Sequence, residues 1–400
     1  MSEVRRPARV LRVVTRLVGG AGRQAVLLTS GMAERGLESR LIMGPERDGS
    51  LWEIASGLAA TIPSLQRELS PPADARALRG MYRQMRTFRP HIVHSHMSKA
   101  GALSRVAARA AGVPIVVHSF HGHVLHGYFS ARTSAAYKHV ERALAPSTDA
   151  LVAVSRAVRD QLLELGVGRP SQWHVIPTGV VGETLNGGPD PVAARERLEL
   201  PREGPLVGIV ARLDPIKNVP LFLEAAARIK AGRPDVSFVI AGDGEQRQAI
   251  HARARALLGD RVHLLGWVRD LDSLYAALDV VLLTSRNEGT PRALIEAGAA
   301  STPTVATTVG GVADVLIDGV TGLLVAPGDA GGLAERTLEL LADQPRARAI
   351  GEAAARRVRA EFSQRACIDR TLNLYRDLLA RRRPGGARHK TRQVERVAAP

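Results

Sequence analysis

Short apolar runs alternate with helix-length amphipathic segments along nearly all of the 400-residue chain, and few architectures accept that alternation. A strand, a crossover helix and a second parallel strand bury both faces of a sheet, so such a chain builds α/β units. Strands are predicted near 9–14, 39–43, 91–95, 114–118, 150–154 and 173–176. A second set is predicted near 205–211, 236–241, 262–265, 280–284, 303–306 and 323–325. Four hundred residues exceed one compact core. Between the two sets, Pro177 to Pro205 holds Gly179, Gly182, Gly187, Gly188, Pro189, Pro191, Pro201 and Gly204, the composition of a connection, with a short helix expected at 191–199. The expected organisation is a first Rossmann-like domain over 1–178, a linker over 179–204 and a second domain over 205–362. A helix over 363–380 and a basic tail over 381–400 follow.

Charge narrows the function classes. The formal net charge is +16, but residues 1–180 carry 24 Lys+Arg against 12 Asp+Glu, residues 181–380 carry 24 against 26, and the last twenty carry 7 against 1. A nucleic-acid binder would be basic throughout. A two-domain enzyme with one face toward an anionic membrane or acceptor fits this asymmetry. Cys367 is the only cysteine, so no intramolecular disulfide can form and a reducing compartment is expected. Arg5, Arg6 and Arg9 begin the chain, and Arg12 and Arg16 interrupt any signal-peptide core. No run reaches membrane-spanning length. These features lead us to expect a cytoplasmic protein, peripheral at most on the inner membrane face.

The residues most informative for chemistry are Glu288-Gly289-Thr290-Pro291-Arg292-Ala293-Leu294-Ile295-Glu296, directly after the apolar run Val280 to Leu283. Thr290 suits an N-cap and Pro291 the first helical position, so a helix is expected to start at Pro291. Its N-terminus offers unpaired N–H groups and the positive end of a dipole to phosphate oxygens. Carboxylates on either side suit neutral hydroxyls, such as those of a sugar and a ribose. Arg212 and Lys217 follow the strand at 205–211, where open α/β sheets bind ligands. A guanidinium fork and an ammonium charge can neutralise a pyrophosphate without a metal.

The Glu288–Glu296 stretch resembles the paired-glutamate motif of retaining glycosyltransferases of the GT-B fold, family 4. Val210-Ala211-Arg212-Leu213-Asp214-Pro215-Ile216-Lys217-Asn218 resembles that family's basic pair, and Ala241-Gly242-Asp243-Gly244-Glu245 its strand-end glycine turn. Val309-Gly310-Gly311 with Thr321-Gly322-Leu323-Leu324-Val325 resembles its C-terminal signature. His94-Ser95-His96, Ser98-Lys99-Ala100-Gly101 and Ser119-Phe120-His121-Gly122-His123 resemble members that build bacterial surface polysaccharides. The likeness runs from about Val10 to Leu379. It implies two doubly wound domains facing a cleft, with the last helix crossing back onto the first. It also implies transfer of a hexose from a nucleotide-diphosphate sugar (UDP or GDP) to a glycan or polyprenyl-linked acceptor, with no cofactor and no metal.

In that reading Arg212 and Lys217 stabilise the leaving diphosphate, Glu288 holds sugar hydroxyls and Glu296 the ribose. Gly266-Trp267-Val268 supplies backbone contacts to the base, His121 meets the donor sugar, and Gly20 in Gly19-Gly20-Ala21-Gly22 lets the backbone approach the ligand. Family members usually have a small or aliphatic residue where Arg292 stands, which points to a charged donor or an extra phosphate contact. The alternatives are a sugar-nucleotide epimerase on the same fold and a non-catalytic polyanion-binding protein.

Three further features have competing explanations. His118, His121, His123 and His126 with His94 and His96 invite a zinc reading, but no cysteine, carboxylate or H-x3-H spacing accompanies them. Asp270-x-Asp272 could hold a metal, yet it precedes an amphipathic helical pattern and reads better as an N-cap. Arg76, Arg79, Arg83 and Arg86 share one helix face, which is either solvated or a contact for a membrane surface or a lipid-linked acceptor.

Overall fold

The structure, a computed structural model, describes residues 7–122, 131–180 and 189–382. His123, His126, Gly182, Gly187, Gly188 and the tail beyond Arg382 lie outside the described residues.

Seven strands form the first sheet: β1 (Arg9–Val14), β2 (Glu38–Met43), β3 (Ala59–Thr61), β4 (Ile92–His96), β5 (Ile115–Phe120), β6 (Ala150–Ala153) and β7 (Trp173–Val175). All pair in parallel in the order β3-β2-β1-β4-β5-β6-β7, with Val10 opposite both Ser39 and Ile92. The second sheet has β8 (Leu206–Val210), β9 (Ser237–Ala241), β10 (Val262–Gly266), β11 (Val280–Leu283), β12 (Thr304–Thr307) and β13 (Leu323–Val325), parallel in the order β10-β9-β8-β11-β12-β13. Twelve of these strands stand where apolar runs predict them. β3 was not expected: Ala59-Ala60-Thr61 is short and alanine-rich, with no strand signal of its own. It is held by pairing with Leu41 to Met43.

Helices cover the sheets. The first set is α1 (Gly19–Ala33), α2 (Gly49–Ala55), α3 (Pro71–Phe88), α4 (Ser98–Ala110), α5 (Ala131–Leu144) and α6 (Arg156–Glu164). Then come α7 (Pro191–Arg197), α8 (Val219–Gly232), α9 (Arg247–Leu258), α10 (Leu271–Ala277), α11 (Arg292–Ala299) and α12 (Val312–Val315). The last are α13 (Ala330–Ala342), α14 (Gln344–Glu361) and α15 (Gln364–Arg381). Asp270 caps α10, accepting from Ser273 N at 3.0 Å. α15 returns to the first sheet, where Ile368, Leu374, Tyr375 and Leu378 share a core with Val10, Leu28 and Ile92. The return is close: a Cβ on Gly31 of α1 would lie 2.3 Å from Ile368 Cδ1. The two strands of chain that join the sheets run side by side, Val180 N donating to Phe362 O (2.9 Å) and Gln364 N to Val180 O (3.0 Å).

Strand order reverses between β1 and β4 in one sheet and between β8 and β11 in the other. Open α/β sheets bind ligands beyond the carboxyl ends of strands at these points. The turn after β9 is tight there. Gly242 has φ +142°, and a Cβ on it would lie 1.8 Å from Ala211 O. Gly242→Ala should therefore cost about 2 kcal/mol and lower the melting temperature by roughly 4–8 °C. A calorimetric shift below 1 °C would show that the turn can rearrange freely.

Candidate active site

Two loops at the β8/β11 reversal build one wall. Thr284 Oγ1, at the end of β11, donates to Lys217 O (3.0 Å) and Asn218 O (3.2 Å), and Arg286 N donates to Ile216 O (2.8 Å). The loops are thus fixed to each other before any ligand arrives. Lys217 Nζ lies 2.6 Å from Glu288 Oε1, which also accepts from Ser285 Oγ at 2.6 Å. Glu288 is 8% exposed, so its charge is compensated where water cannot do it. Arg212 is different: its side chain is 61% exposed and pairs with Asp214 at 2.6 Å. Gly310 and Gly311 seat the glutamate loop. Gly311 N donates to Glu288 O at 2.9 Å, and Cβ atoms on the two glycines would fall 2.1 Å from Glu288 O and 1.9 Å from Gly289 O.

The helix after this loop starts one residue later than the sequence suggests. α11 runs Arg292–Ala299 with Pro291 as its N-cap, extended at φ −72° and ψ 98°. Thr290 does not cap it, because its hydroxyl donates across the cleft to Val154 O at 2.7 Å. A contact between distant residues has displaced the local one. Arg292 Nη2 donates to Glu296 Oε1 (2.8 Å), and Tyr275 O–H donates to Glu296 Oε2 (3.2 Å). Arg292 Nη1 is buried without a partner. Ala293 is half-buried beside them. Gly266 ends β10 at φ +64° and accepts from Gly242 N at 2.7 Å. Trp267 stands 71% exposed, and Val268 packs against the core that contains Tyr275.

The first domain supplies the opposite wall. Gly20 lies in the first turn of α1, where an added Cβ would sit 3.7 Å from Arg292 Cδ. Arg23, one turn on, was not singled out by sequence. Its pKa is lowered by burial and then by the Arg292 charge, so the two guanidinium groups are near each other. His121 O would lie 2.6 Å from a Cβ on Gly289, which explains the glycine there. His121 Nε2 is 2.9 Å from His96 Nδ1. Burial pushes the His121 pKa down to about 4, so the ring is neutral near pH 7. Asp314 of the second domain accepts from Arg156 N (2.7 Å) and Ala157 N (3.3 Å), covering the start of α6.

Glu288, Lys217, Arg292, Glu296, Gly20 and His121 are therefore brought to one cleft. Arg76, Arg79, Arg83 and Arg86 are not. They lie on the exposed face of α3, whose buried face is Ala73, Ala77, Met81, Met85 and Phe88. Sequence reasoning gave no role to Tyr275 or Ser285; the only local signal was the three-residue spacing of Ser285 from Glu288. Among the described residues no group of three or more His, Cys, Asp or Glu is placed to hold a metal ion. The wall combines cations, a helix N-terminus and two carboxylates, an arrangement suited to a diphosphate with hydroxylated groups on both sides.

The sequence profile of glycosyl transferases group 1 matches residues 193–357, and that of Glycosyltransferase Family 4 matches residues 18–183. The chain is 33% identical over 255 residues to the UDP-Gal:alpha-D-GlcNAc-diphosphoundecaprenol alpha-1,3-galactosyltransferase of Escherichia coli, covering 62% of this chain and 66% of that enzyme. It is 32% identical over 308 residues to the D-inositol 3-phosphate glycosyltransferase of Stackebrandtia nassauensis, covering 73% of this chain and 69% of the relative. The crystal structure of Anabaena HepE in complex with UDP and glucose superposes with a TM-score of 0.76 at 20% identity, over 92% of this chain and 99% of that one. The chain belongs to the glycosyl transferases group 1 family and has the GT-B fold of two Rossmann-like domains.

Proposed function

We propose that the protein is a retaining, metal-independent hexosyltransferase that moves a sugar from a UDP- or GDP-sugar to an alcohol of a glycan or polyprenyl-linked saccharide. The observation that carries this reading is the paired Lys217–Glu288 contact beside the start of α11, with Arg212 on the same loop as Lys217. The diphosphate would lie against Arg212, Lys217 and the α11 N-terminus, the sugar against Glu288 and His121, and the ribose against Glu296. Gly266, Trp267 and Val268 would face the base. Arg292, aimed by its bond to Glu296, would add a phosphate contact. As the glycosidic bond breaks, negative charge grows on the leaving diphosphate where these cations already stand. No protein nucleophile is assigned; front-face attack with the leaving phosphate taking the acceptor proton accounts for retention. A donor with a nucleoside diphosphate and an acceptor on a lipid diphosphate are what the name of the E. coli relative describes, which supports the choice of substrate class.

The test is a nucleotide-release assay over UDP-, GDP- and ADP-sugars, with purified protein and a lipid extract as acceptor source. Release of one nucleotide with an anomerically retained product is expected. Isomerised sugar nucleotide without release would identify an epimerase instead, and no turnover on any donor would overturn the enzyme reading.

The basic face of α3 belongs to the same proposal as a contact with an anionic membrane. No helix among the described residues is long and apolar enough to cross a membrane. Arg76, Arg79, Arg83 and Arg86 are exposed, with Leu69 and Tyr82 exposed nearby. Each cation at an anionic surface contributes about 1 kcal/mol, and screening over about 8 Å makes binding salt-sensitive. Changing all four arginines to Gln should reduce binding to phosphatidylglycerol liposomes and transfer to a lipid acceptor, while transfer to a soluble analogue is spared. Equal liposome binding by the parent and the quadruple variant would show the face to be merely solvated.

A further inference from the structure

His96 is fully buried at the end of β4, directly behind His121. Its Nδ1 lies 2.9 Å from His121 Nε2, while its Nε2 is buried with no hydrogen-bond partner. His94 stacks on it, ring centroids 4.6 Å apart at 23°. The proton positions in this cluster can be worked out, because one member is a donor only. Arg12 Nη2 donates to Tyr375 Oη at 3.2 Å, and a guanidinium cannot accept. Among the described residues the buried hydroxyl has no other acceptor than His94 Nδ1, 2.6 Å away, so it donates there, and His94 carries its own proton on Nε2 and gives it to Ser119 Oγ at 2.7 Å.

The His96–His121 contact has two possible directions. Burial, the largest cause in each case, holds both rings far below their ordinary pKa, so each is neutral and carries one N–H. If His121 Nε2–H donated to His96 Nδ1, the His96 proton would have to sit on Nε2, a buried N–H with no acceptor. Orphaned buried donors are the rarer kind and cost about 1–3 kcal/mol. If His96 Nδ1–H donates to His121 Nε2, only a ring lone pair is left unmatched. The second direction wins. It requires the His121 proton to be on Nδ1, which makes no hydrogen bond among the described residues.

We propose that His96 is a positioning residue that fixes His121 in the Nδ1–H tautomer, so that His121 meets an oxygen of the donor sugar or its phosphate as a neutral hydrogen-bond donor. This rests on the reading of His121 as a donor contact. It follows that His121 orients substrate and does not act as a proton-transfer group. The shell behind it resembles in logic the outer partners that set the tautomer of metal-bound histidines, with a histidine in place of a carboxylate.

Long-range proton–nitrogen correlation spectra of the full chain labelled with nitrogen-15 histidine, assigned with His121→Gln, test the tautomer directly. A protonated Nδ1 and a bare Nε2 on His121 are expected; a protonated Nε2 would overturn the inference. In steady-state kinetics with the best nucleotide sugar from the release panel, His96→Leu should lower kcat about tenfold, the scale on which an orienting partner matters, with KM changed less than twofold. His96→Asn should recover most of that loss, because its amide N–H can stand near the place of Nδ1–H. Unchanged kcat in His96→Leu would also overturn the inference. Should His96→Leu fail to fold, the spectrum of the parent protein decides alone. A parent protein inactive on every donor would sink the transferase reading, and the tautomer would still be measured independently.

Discussion

Arg212→Ala and Lys217→Ala are each expected to lower turnover by two or more orders of magnitude, in an enzyme whose activity survives EDTA. The expectation follows from where charge appears. A contact made to the leaving diphosphate as the glycosidic bond breaks supports the transition state more than the ground state, and losing one such contact costs roughly 3 kcal/mol. The two residues should differ in stability. Arg212 is largely exposed and its partner Asp214 is on the same loop, so its removal should leave folding within about 0.5 kcal/mol of the parent. Lys217 is the counter-ion of buried Glu288. Lys217→Ala leaves that carboxylate with Ser285 alone and should lower the melting temperature as well. Turnover and melting measured on both variants separate the effects. Complete loss in EDTA with recovery on adding Mg²⁺ would contradict the metal-free clamp, as would an Arg212→Ala enzyme within fivefold of the parent.

The parallel sheets were legible because strands buried on both faces must be continuously apolar, and runs such as Val280 to Leu283 are too short for a helix and begin with two β-branched valines. β3 escaped because two alanines and a threonine carry no such signal; pairing with β2 makes it a strand. Spacing and strand position brought Lys217, Glu288 and Arg292 to the cleft. Spacing could not reveal that Lys217 and Glu288 bond directly, or that Tyr275, on α10 and twenty-one residues from Glu296, shares that carboxylate with Arg292. Thr290 shows the limit most clearly. Locally it is an ideal cap, but Val154 O from the other domain takes its hydroxyl, and no window of sequence contains both residues. Glycines tell a similar story: Gly289, Gly310 and Gly311 were legible as motif, and their reason, backbone packed against backbone from His121, Glu288 and Gly289, appears only in three dimensions.

Glu288→Gln and Glu296→Gln should fail in different ways. The glutamine at 288 keeps the shape and an acceptor oxygen but removes the charge that pairs with Lys217 and that, as proposed, meets the sugar hydroxyls. Lys217 loses its counter-ion and becomes freer to meet phosphate, so affinity for the bare nucleoside diphosphate should hold or rise while turnover falls about a hundredfold or more, the scale of one transition-state contact. At 296 the order reverses. The carboxylate is held from both sides, by Arg292 Nη2 at 2.8 Å and Tyr275 O–H at 3.2 Å, which aims it before nucleotide arrives. The proposed ribose contact would be made with or without the sugar, so its loss should appear in binding of the bare nucleoside diphosphate. A hydrogen bond to a charged acceptor contributes about 1.5–3 kcal/mol, so Kd should rise between about tenfold and a hundredfold. Turnover at saturating donor should fall less than in Glu288→Gln, because ground state and transition state lose the same contact. Calorimetry with the nucleoside diphosphate that the release assay identifies, paired with kcat at saturating donor, gives the four numbers needed. If both variants weaken nucleoside-diphosphate binding equally, the carboxylates do not divide the sugar and the ribose between them. If Glu296→Gln instead binds the nucleoside diphosphate more tightly, the freed Arg292 outweighs the ribose contact, and the phosphate is held chiefly by Arg292.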